Sequence, residues 1–233
     1  VIEFYASHKL AVWATAILLS MAGCLFYYAA FGPHAVSVHE TGPGVLVRRF
    51  GVREWVCHWL MLLGFLALAG TGLAQLVPGP GLGHWGPFHG RSGLIFFLVA
   101  LATLLGWIPD ALFKPNDWPW LLKMGGYFSR DAEPPAAGRF NAGQKVYYWA
   151  LLLVLTGLLV SAVVMEHGPH SPAGRKELFW CLHGLLGCLA TMMVIVHAFL
   201  SLFVNPRAAR VVRDGRVSRR YVEKYHSLWR AQG

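Results

Sequence analysis

The charged residues of the chain are gathered between long stretches that carry none. Residues 10–31, 55–77, 92–108, 146–165 and 178–204 contain no Asp, Glu, Lys or Arg and run 22, 23, 17, 20 and 27 residues. A helix needs about 20 apolar residues to cross a bilayer, so each stretch is long enough or nearly so. In hydrocarbon the backbone must satisfy its own hydrogen bonds, which leaves helices or a closed barrel. Barrel strands alternate polar and apolar positions, and these stretches do not. The pattern therefore predicts an all-α integral membrane protein with five transmembrane helices. The third stretch is the shortest; its helix is expected to begin upstream, near Phe88, with His89 and Arg91 at the interface. Pro-Gly clusters such as Pro78-Gly79-Pro80-Gly81 and Gly168-Pro169 mark connections. The connection 109–145 is long enough to be read as a functional loop.

Composition agrees with this picture. Hydrophobic residues make up 56% and charged residues 13%, against about 25% charged in a soluble domain. Disorder is excluded, because disordered chains are poor in apolar residues. The net charge of +9 follows from topology. Sixteen of the 20 Lys and Arg lie in 32–54, 109–145 and the tail 205–233; the other four are Lys9, Arg91, Arg175 and Lys176. By the positive-inside rule the C-terminus is cytoplasmic and the N-terminus external. The excess of basic residues then calls for no nucleic-acid partner. Cys24, Cys57, Cys181 and Cys188 sit in or at the ends of apolar stretches, and no C-x-x-C occurs. A zinc ribbon and a c-type haem thus lack support, and all four are expected to be buried, inert thiols.

Histidine placement brings in chemistry. Seven of the eleven histidines, His8, His34, His39, His84, His167, His170 and His226, fall in loops, tails or interfaces and are expected at the solvated surface. His58, His89, His183 and His197 fall in or at the edge of spans, where ionisable groups are functional candidates. Given the helix directions, His58 and His197 lie near the cytoplasmic side, and His89 and His183 near the outside. His183 and His197 are 14 residues apart on one helix, roughly 3.9 turns and about 21 Å, and so share a face. Two stacked macrocycles, each held by imidazoles from both sides, suit this arrangement and would be electron-transfer b haems. Three other roles stay open: hydrogen-bonded packing, a proton relay and a metal site. The spans hold no Asp or Glu for a relay, and no compact set of three or four ligands suggests zinc. Gly64, Gly184 and Gly187 could admit a ring or merely allow close helix packing. Arg53 and Arg91 could serve haem propionates or anchor the interface.

Several motifs carry a resemblance. They are Arg48-Arg49-Phe50 leading to Cys57-His58-Trp59, Phe88-His89-Gly90 and Pro119-Trp120-Leu121. Further on come Phe140-Asn141-Ala142-Gly143-Gln144-Lys145, His183-Gly184 with His197, and Gly215-Arg216-Val217-Ser218-Arg219-Arg220-Tyr221. Over about residues 45–230 the chain resembles the gamma (cytochrome b556) subunit of membrane-bound formate dehydrogenase. The resemblance implies a dihaem cytochrome b in residues 55–204, preceded by an additional helix and cytoplasmic linker in 1–54 and followed by a basic cytoplasmic tail in 205–233. It implies two haem b groups, the outer held by His89 and His183 and the inner by His58 and His197. It also implies a cytoplasmic quinone site, for menaquinone or ubiquinone, lined by Asn141, Gly143 and Gln144 of the loop 109–145. The implied partners are a periplasmic iron–sulfur subunit and a molybdenum or tungsten catalytic subunit, at the bacterial inner membrane. Electrons would pass from the outer haem to the inner haem and then to quinone, and the chain would not touch formate. Taken alone, Asn-Ala-Gly-Gln reads as a helix-start cap before the fourth span. Family members have four spans, so the helix at 10–31, which has no histidine, is expected to meet another subunit or flank the bundle. Alternatives are the cytochrome b of a nickel–iron hydrogenase or other periplasmic oxidoreductase, a quinol-oxidising subunit working in reverse, and a haem-free anchor or transporter. The run 141–145 argues against the hydrogenase.

Overall fold

The computed structural model describes residues 1–33, 44–77, 85–129, 133–167 and 173–229. In chain order its elements are α1 (Ile2–Phe31), β1 (Leu46–Arg48), α2 (Val52–Leu76), α3 (Trp85–Ala111), α4 (Asp117–Leu122), α5 (Ala142–His167), α6 (Ala173–Phe199), α7 (Pro206–Asp214), β2 (Arg216–Ser218) and α8 (Arg219–Tyr225). Five of them, α1, α2, α3, α5 and α6, are long and apolar enough to cross a membrane. Each begins upstream of its predicted span, because a helix continues through the interface where charged side chains are hydrated. At the far end α3 and α5 also run past the span, α1 ends with its span, α2 stops at Leu76, and α6 gives way at Leu200 to a further helical turn that reaches Val204. α3 begins at Trp85, upstream of Phe88, and takes Pro109 into its last turn. The helices are apolar on their outer faces as well: Leu63, Leu66, Leu98, Leu105 and Leu153 are all exposed. A water-soluble bundle would bury such a set; a lipid-facing one leaves it outward.

The chain divides into two compact units. One comprises Val1–Ala22, Leu60–Ala102 and Leu151–Ile195; the other comprises Gly23–Trp59, Thr103–Ala150 and Val196–Gly233. In the first, α1 packs on α6. Its only buried residues are Tyr5 and Trp13, and Trp13 Nε1–H donates to Tyr5 Oη at 3.2 Å. Trp13 clusters with Leu76 and Cys188. A side chain at Gly184 would collide with the Tyr5 ring, and one at Gly187 would touch Trp13 at 3.4 Å. These two glycines therefore serve helix packing. Gly64 does the same for Phe96, whose ring would lie 2.9 Å from an added Cβ.

In the second unit β1 and β2 form an antiparallel ribbon in the register Leu46↔Ser218, Val47↔Val217, Arg48↔Arg216. Val47 and Val217 point inward and join Tyr221 and Val222 in a small core. Gly215 caps α7 in the left-handed region at φ 73°. An added Cβ there would also lie 2.7 Å from the Phe50 carbonyl oxygen, so no other residue fits. α6 ends in a π-type turn, Leu200–Val204. Asn205 N–H closes it onto Leu200 O at 2.8 Å, and Pro206, which has no N–H, then starts α7.

The structure corrects several expectations. The loop 109–145 is partly ordered into α4 and a 3₁₀ turn, Met124–Gly126. Trp120 closes this segment against Ala137 and Ala142. His226 is not a surface residue: it is 0% exposed, and its Nδ1–H donates to Gly138 O at 2.7 Å. Burial, and then the Arg49 charge, hold its imidazole well below the usual histidine range. The tail folds back, so a residue that looks terminal in sequence becomes core. Cys181 and Cys188 are buried as expected, but Cys24 and Cys57 are only half-buried. His8 is exposed as expected. His34, His39, His84 and His170, Pro78-Gly79-Pro80-Gly81 and Gly168-Pro169 lie outside the described residues, as does the side chain of His167.

Candidate functional site

The first unit brings His89 of α3 and His183 of α6 together. Their ring centroids lie 6.2 Å apart with the planes at 72°. Each ring is held by a hydroxyl. His89 Nδ1 lies 2.8 Å from Thr71 Oγ1, and His183 Nδ1 lies 2.9 Å from Ser161 Oγ. Gly72 admits the His89 ring, whose Cε1 would sit 3.4 Å from an added Cβ. Neither hydroxyl emerged from the sequence. Depth could have found them, since Thr71 and Ser161 lie near the C-terminal ends of stretches whose direction alternates with those that His89 and His183 begin.

The second unit holds His58 of α2 and His197 of α6, which are within electrostatic reach of one another. His58 Nδ1 is buried without a hydrogen-bond partner, and its ring packs beside Phe50 at 6.0 Å. His197 is exposed, and its ring stacks on Tyr147 of α5 at 5.0 Å and 18°. Tyr147 escaped the sequence reasoning. It is a stacking partner one turn into its span, a position shared by many interface tyrosines.

Asn141 and Gln144 form a reciprocal capping box at the start of α5. Asn141 N–H donates to Gln144 Oε1 at 3.0 Å, and Gln144 N–H donates to Asn141 Oδ1 at 2.9 Å. The capping role is thus present. Both carbonyl oxygens point into the cap, which leaves the two side-chain NH₂ groups as donors. Gly143 lies under Trp120, whose ring would be 2.5 Å from an added Cβ. The adjacent Lys145 is 3% exposed and ion-paired with Asp117 at 2.7 Å.

An ionic cluster braces this side. Arg139 bridges Glu54 at 2.8 Å and Asp110 at 2.9 Å. Arg139 and Arg49 exchange bonds, each guanidinium donating to the other's carbonyl oxygen at 2.8 Å. Arg49 is sandwiched by Tyr221 and Trp229, and burial pushes its guanidinium below the usual arginine range. Arg53 lies over Gly106, and Arg91 is exposed. Among the described residues no group of three or more His, Cys, Asp or Glu could hold a metal ion by itself.

Residues 49–214 match the family model described as prokaryotic cytochrome b561. The chain belongs to that family. It is a multi-pass membrane protein, and the family implies haem b. Among its relatives is the nitrate-inducible formate dehydrogenase cytochrome b556(Fdn) subunit of Escherichia coli (strain K12), 22% identical over 187 residues, 74% of this chain and 85% of the relative. The formate dehydrogenase cytochrome b556(fdo) subunit of the same organism is 24% identical over 194 residues, 78% of this chain and 90% of the relative. The formate dehydrogenase cytochrome b556 subunit of Haemophilus influenzae (strain ATCC 51907 / DSM 11121 / KW20 / Rd) is 26% identical over 190 residues, 75% and 78% respectively. The resemblance carried by the motifs is thus found across most of the cytochrome.

The residues of this b561-family chain fit the implied group. The His89 and His183 rings, 6.2 Å apart, are close enough for both imidazoles to reach one metal ion at a bond of about 2 Å. His58, whose buried Nδ1 is unbonded, and the exposed His197 both lie in the other unit.

Proposed function

We propose that this chain is the membrane cytochrome b subunit of a formate dehydrogenase complex, with one haem b between His89 and His183 and a second between His58 and His197. When bound between such histidine pairs, haem b would supply one-electron transfer at a potential set by the residues around it. Electrons enter from a periplasmic iron–sulfur subunit served by a molybdenum or tungsten catalytic subunit. They leave to menaquinone or ubiquinone on the cytoplasmic side of a bacterial inner membrane. The N-terminus is periplasmic and the C-terminus cytoplasmic. The four helices α2, α3, α5 and α6 form the cytochrome, α1 flanks it, and the tail is its cytoplasmic cap.

The chain's own residues perform definite tasks. His89 and His183 supply opposed imidazoles, and the low polarity of their helices excludes water. Tyr147 fixes the plane of His197 by stacking. Asn141 and Gln144 present amide donors to a quinone carbonyl, and Gly143 lets the backbone come close beside them. The observation that carries the proposal is the 6.2 Å approach of the His89 and His183 rings, one from α3 and one from α6. The relatives named for formate dehydrogenase cytochrome b556 support the choice of complex.

The test is haem content per purified chain by pyridine extraction, together with reduced-minus-oxidised spectra. The parent protein should carry two b haems. His197→Ala should keep one, and formate-driven quinone reduction in the assembled complex should cease. A parent chain without haem, or His197→Ala with both haems, would refute the ligand assignment.

A further inference from the structure

The two hydroxyls at the outer histidine pair do more than fill space. Thr71 Oγ1 lies 2.7 Å from Ala67 O and 3.2 Å from Leu68 O. Ser161 Oγ lies 2.7 Å from Gly157 O and 3.0 Å from Leu158 O. A hydroxyl has one proton to give. Two oxygens at 2.7 Å repel unless a proton lies between them, so both hydroxyl protons point back to the carbonyl four residues earlier. The hydroxyl oxygens can then only accept from the histidines. His89 and His183 must therefore carry their protons on Nδ1, which leaves both Nε2 lone pairs free. Two different helices, α2 and α5, supply this device, one to each ring. Ser161 is 1% exposed, so water does not compete there. His58 has no such partner, since its Nδ1 is buried and unbonded.

We infer that Thr71 and Ser161 are positioning residues that fix the Nδ1–H tautomer and ring plane of His89 and His183 for axial ligation of the outer haem. The inference rests on the ligand assignment proposed above. A hydrogen bond accepted from the distal N–H of a ligating imidazole orients the ring and makes it a stronger donor. A stronger donor favours the ferric state. The two hydroxyls thus lower the potential of the outer haem and leave the inner one unaffected.

Thr71→Val removes the hydroxyl acceptor of His89, and Ser161→Ala that of His183, which keeps its bond to the Leu158 backbone, with little change in volume; Thr71→Ser and Ser161→Thr retain the hydroxyl. Four quantities are read on the purified chain: haem content, the potentials of both haems by redox titration, and the low-spin electron paramagnetic resonance signals. Each removing variant should raise the potential of one haem and move its resonance signal, with the other haem unchanged. Each retaining variant should keep the parental values. Loss of one haem in a removing variant, but not in its retaining counterpart, supports the same role. Unchanged potentials and signals with two haems bound would overturn the inference while leaving the ligand assignment intact. A shift confined to the haem lost in His197→Ala, or loss of both haems, would overturn it as well. A parent chain without haem would end both.

Discussion

At the scale of single residues, the buried ion pair between Lys145 and Asp117 is the most exacting feature. Both side chains are at most 3% exposed, and Asp117 Oδ2 accepts from Lys145 Nζ at 2.7 Å and from Lys114 N–H at 2.6 Å. Removing one partner leaves a buried, uncompensated charge, which costs about 3–5 kcal/mol. Asp117→Ala should lower the thermal midpoint of the detergent-solubilised protein accordingly. Asp117→Leu combined with Lys145→Met should recover most of the loss, because an apolar pair of similar volume often replaces a buried ion pair at no penalty. His226 makes a pH prediction. Burial and the Arg49 charge depress its folded-state pKa below the value of about 6.5 expected in the unfolded chain. Below that value the unfolded state binds the extra proton, so the stability of the tail falls as the pH drops from about 6.5 toward the depressed value. Amide-exchange protection factors in α8, corrected for the intrinsic rate at each pH, should fall between pH 7.5 and 5.5, and His226→Gln should flatten that dependence.

At the scale of elements, the packing of α1 rests on two aromatic residues against two glycines. Gly184→Val forces the Tyr5 ring aside, and overpacking of this kind costs about 1–3 kcal/mol. Tyr5→Ala should be destabilising alone yet relieve Gly184→Val, so a double-mutant cycle on the melting midpoint should give a coupling clearly different from zero. The five long helices were legible because runs free of charge have few other physical meanings. Their ends were less so, since helices continue into interface residues that hydropathy alone cannot assign. The β1–β2 ribbon was invisible. Each strand has three residues, and the partners are far apart in sequence. The ordered turn at Met124–Gly126 was hidden because Trp120, which closes it, looks like any interface aromatic.

For the whole molecule, what could be read of the candidate site was the depth of its histidines. His89 with His183 and His58 with His197 follow from helix direction and position, and the structure brings each pair into one unit. The supporting groups were not readable in the same way. Thr71, Ser161 and Tyr147 are ordinary residues in apolar helices, and only their contacts single them out. The brace of Glu54, Asp110 and Arg139 likewise looked like charge flanking three separate spans. The proposed orientation makes a direct prediction. In intact right-side-out cells an impermeant reagent should modify an N-terminal epitope but not a C-terminal one, and inverted vesicles should reverse the result.

The small ribbon also sets a schedule for synthesis. Val47 pairs with Val217, 170 residues later. At about 5–20 residues per second, a ribosome needs roughly 10–30 s to produce the second strand after the first. All five membrane helices have been made by then. The cap that holds Arg49, Tyr221 and His226 can close only after all five long helices have been made, so it assembles after them. A nascent chain stalled before Val217 would carry its five long helices with His58, His89, His183 and His197, yet leave β1 unpaired and open to quality-control proteases.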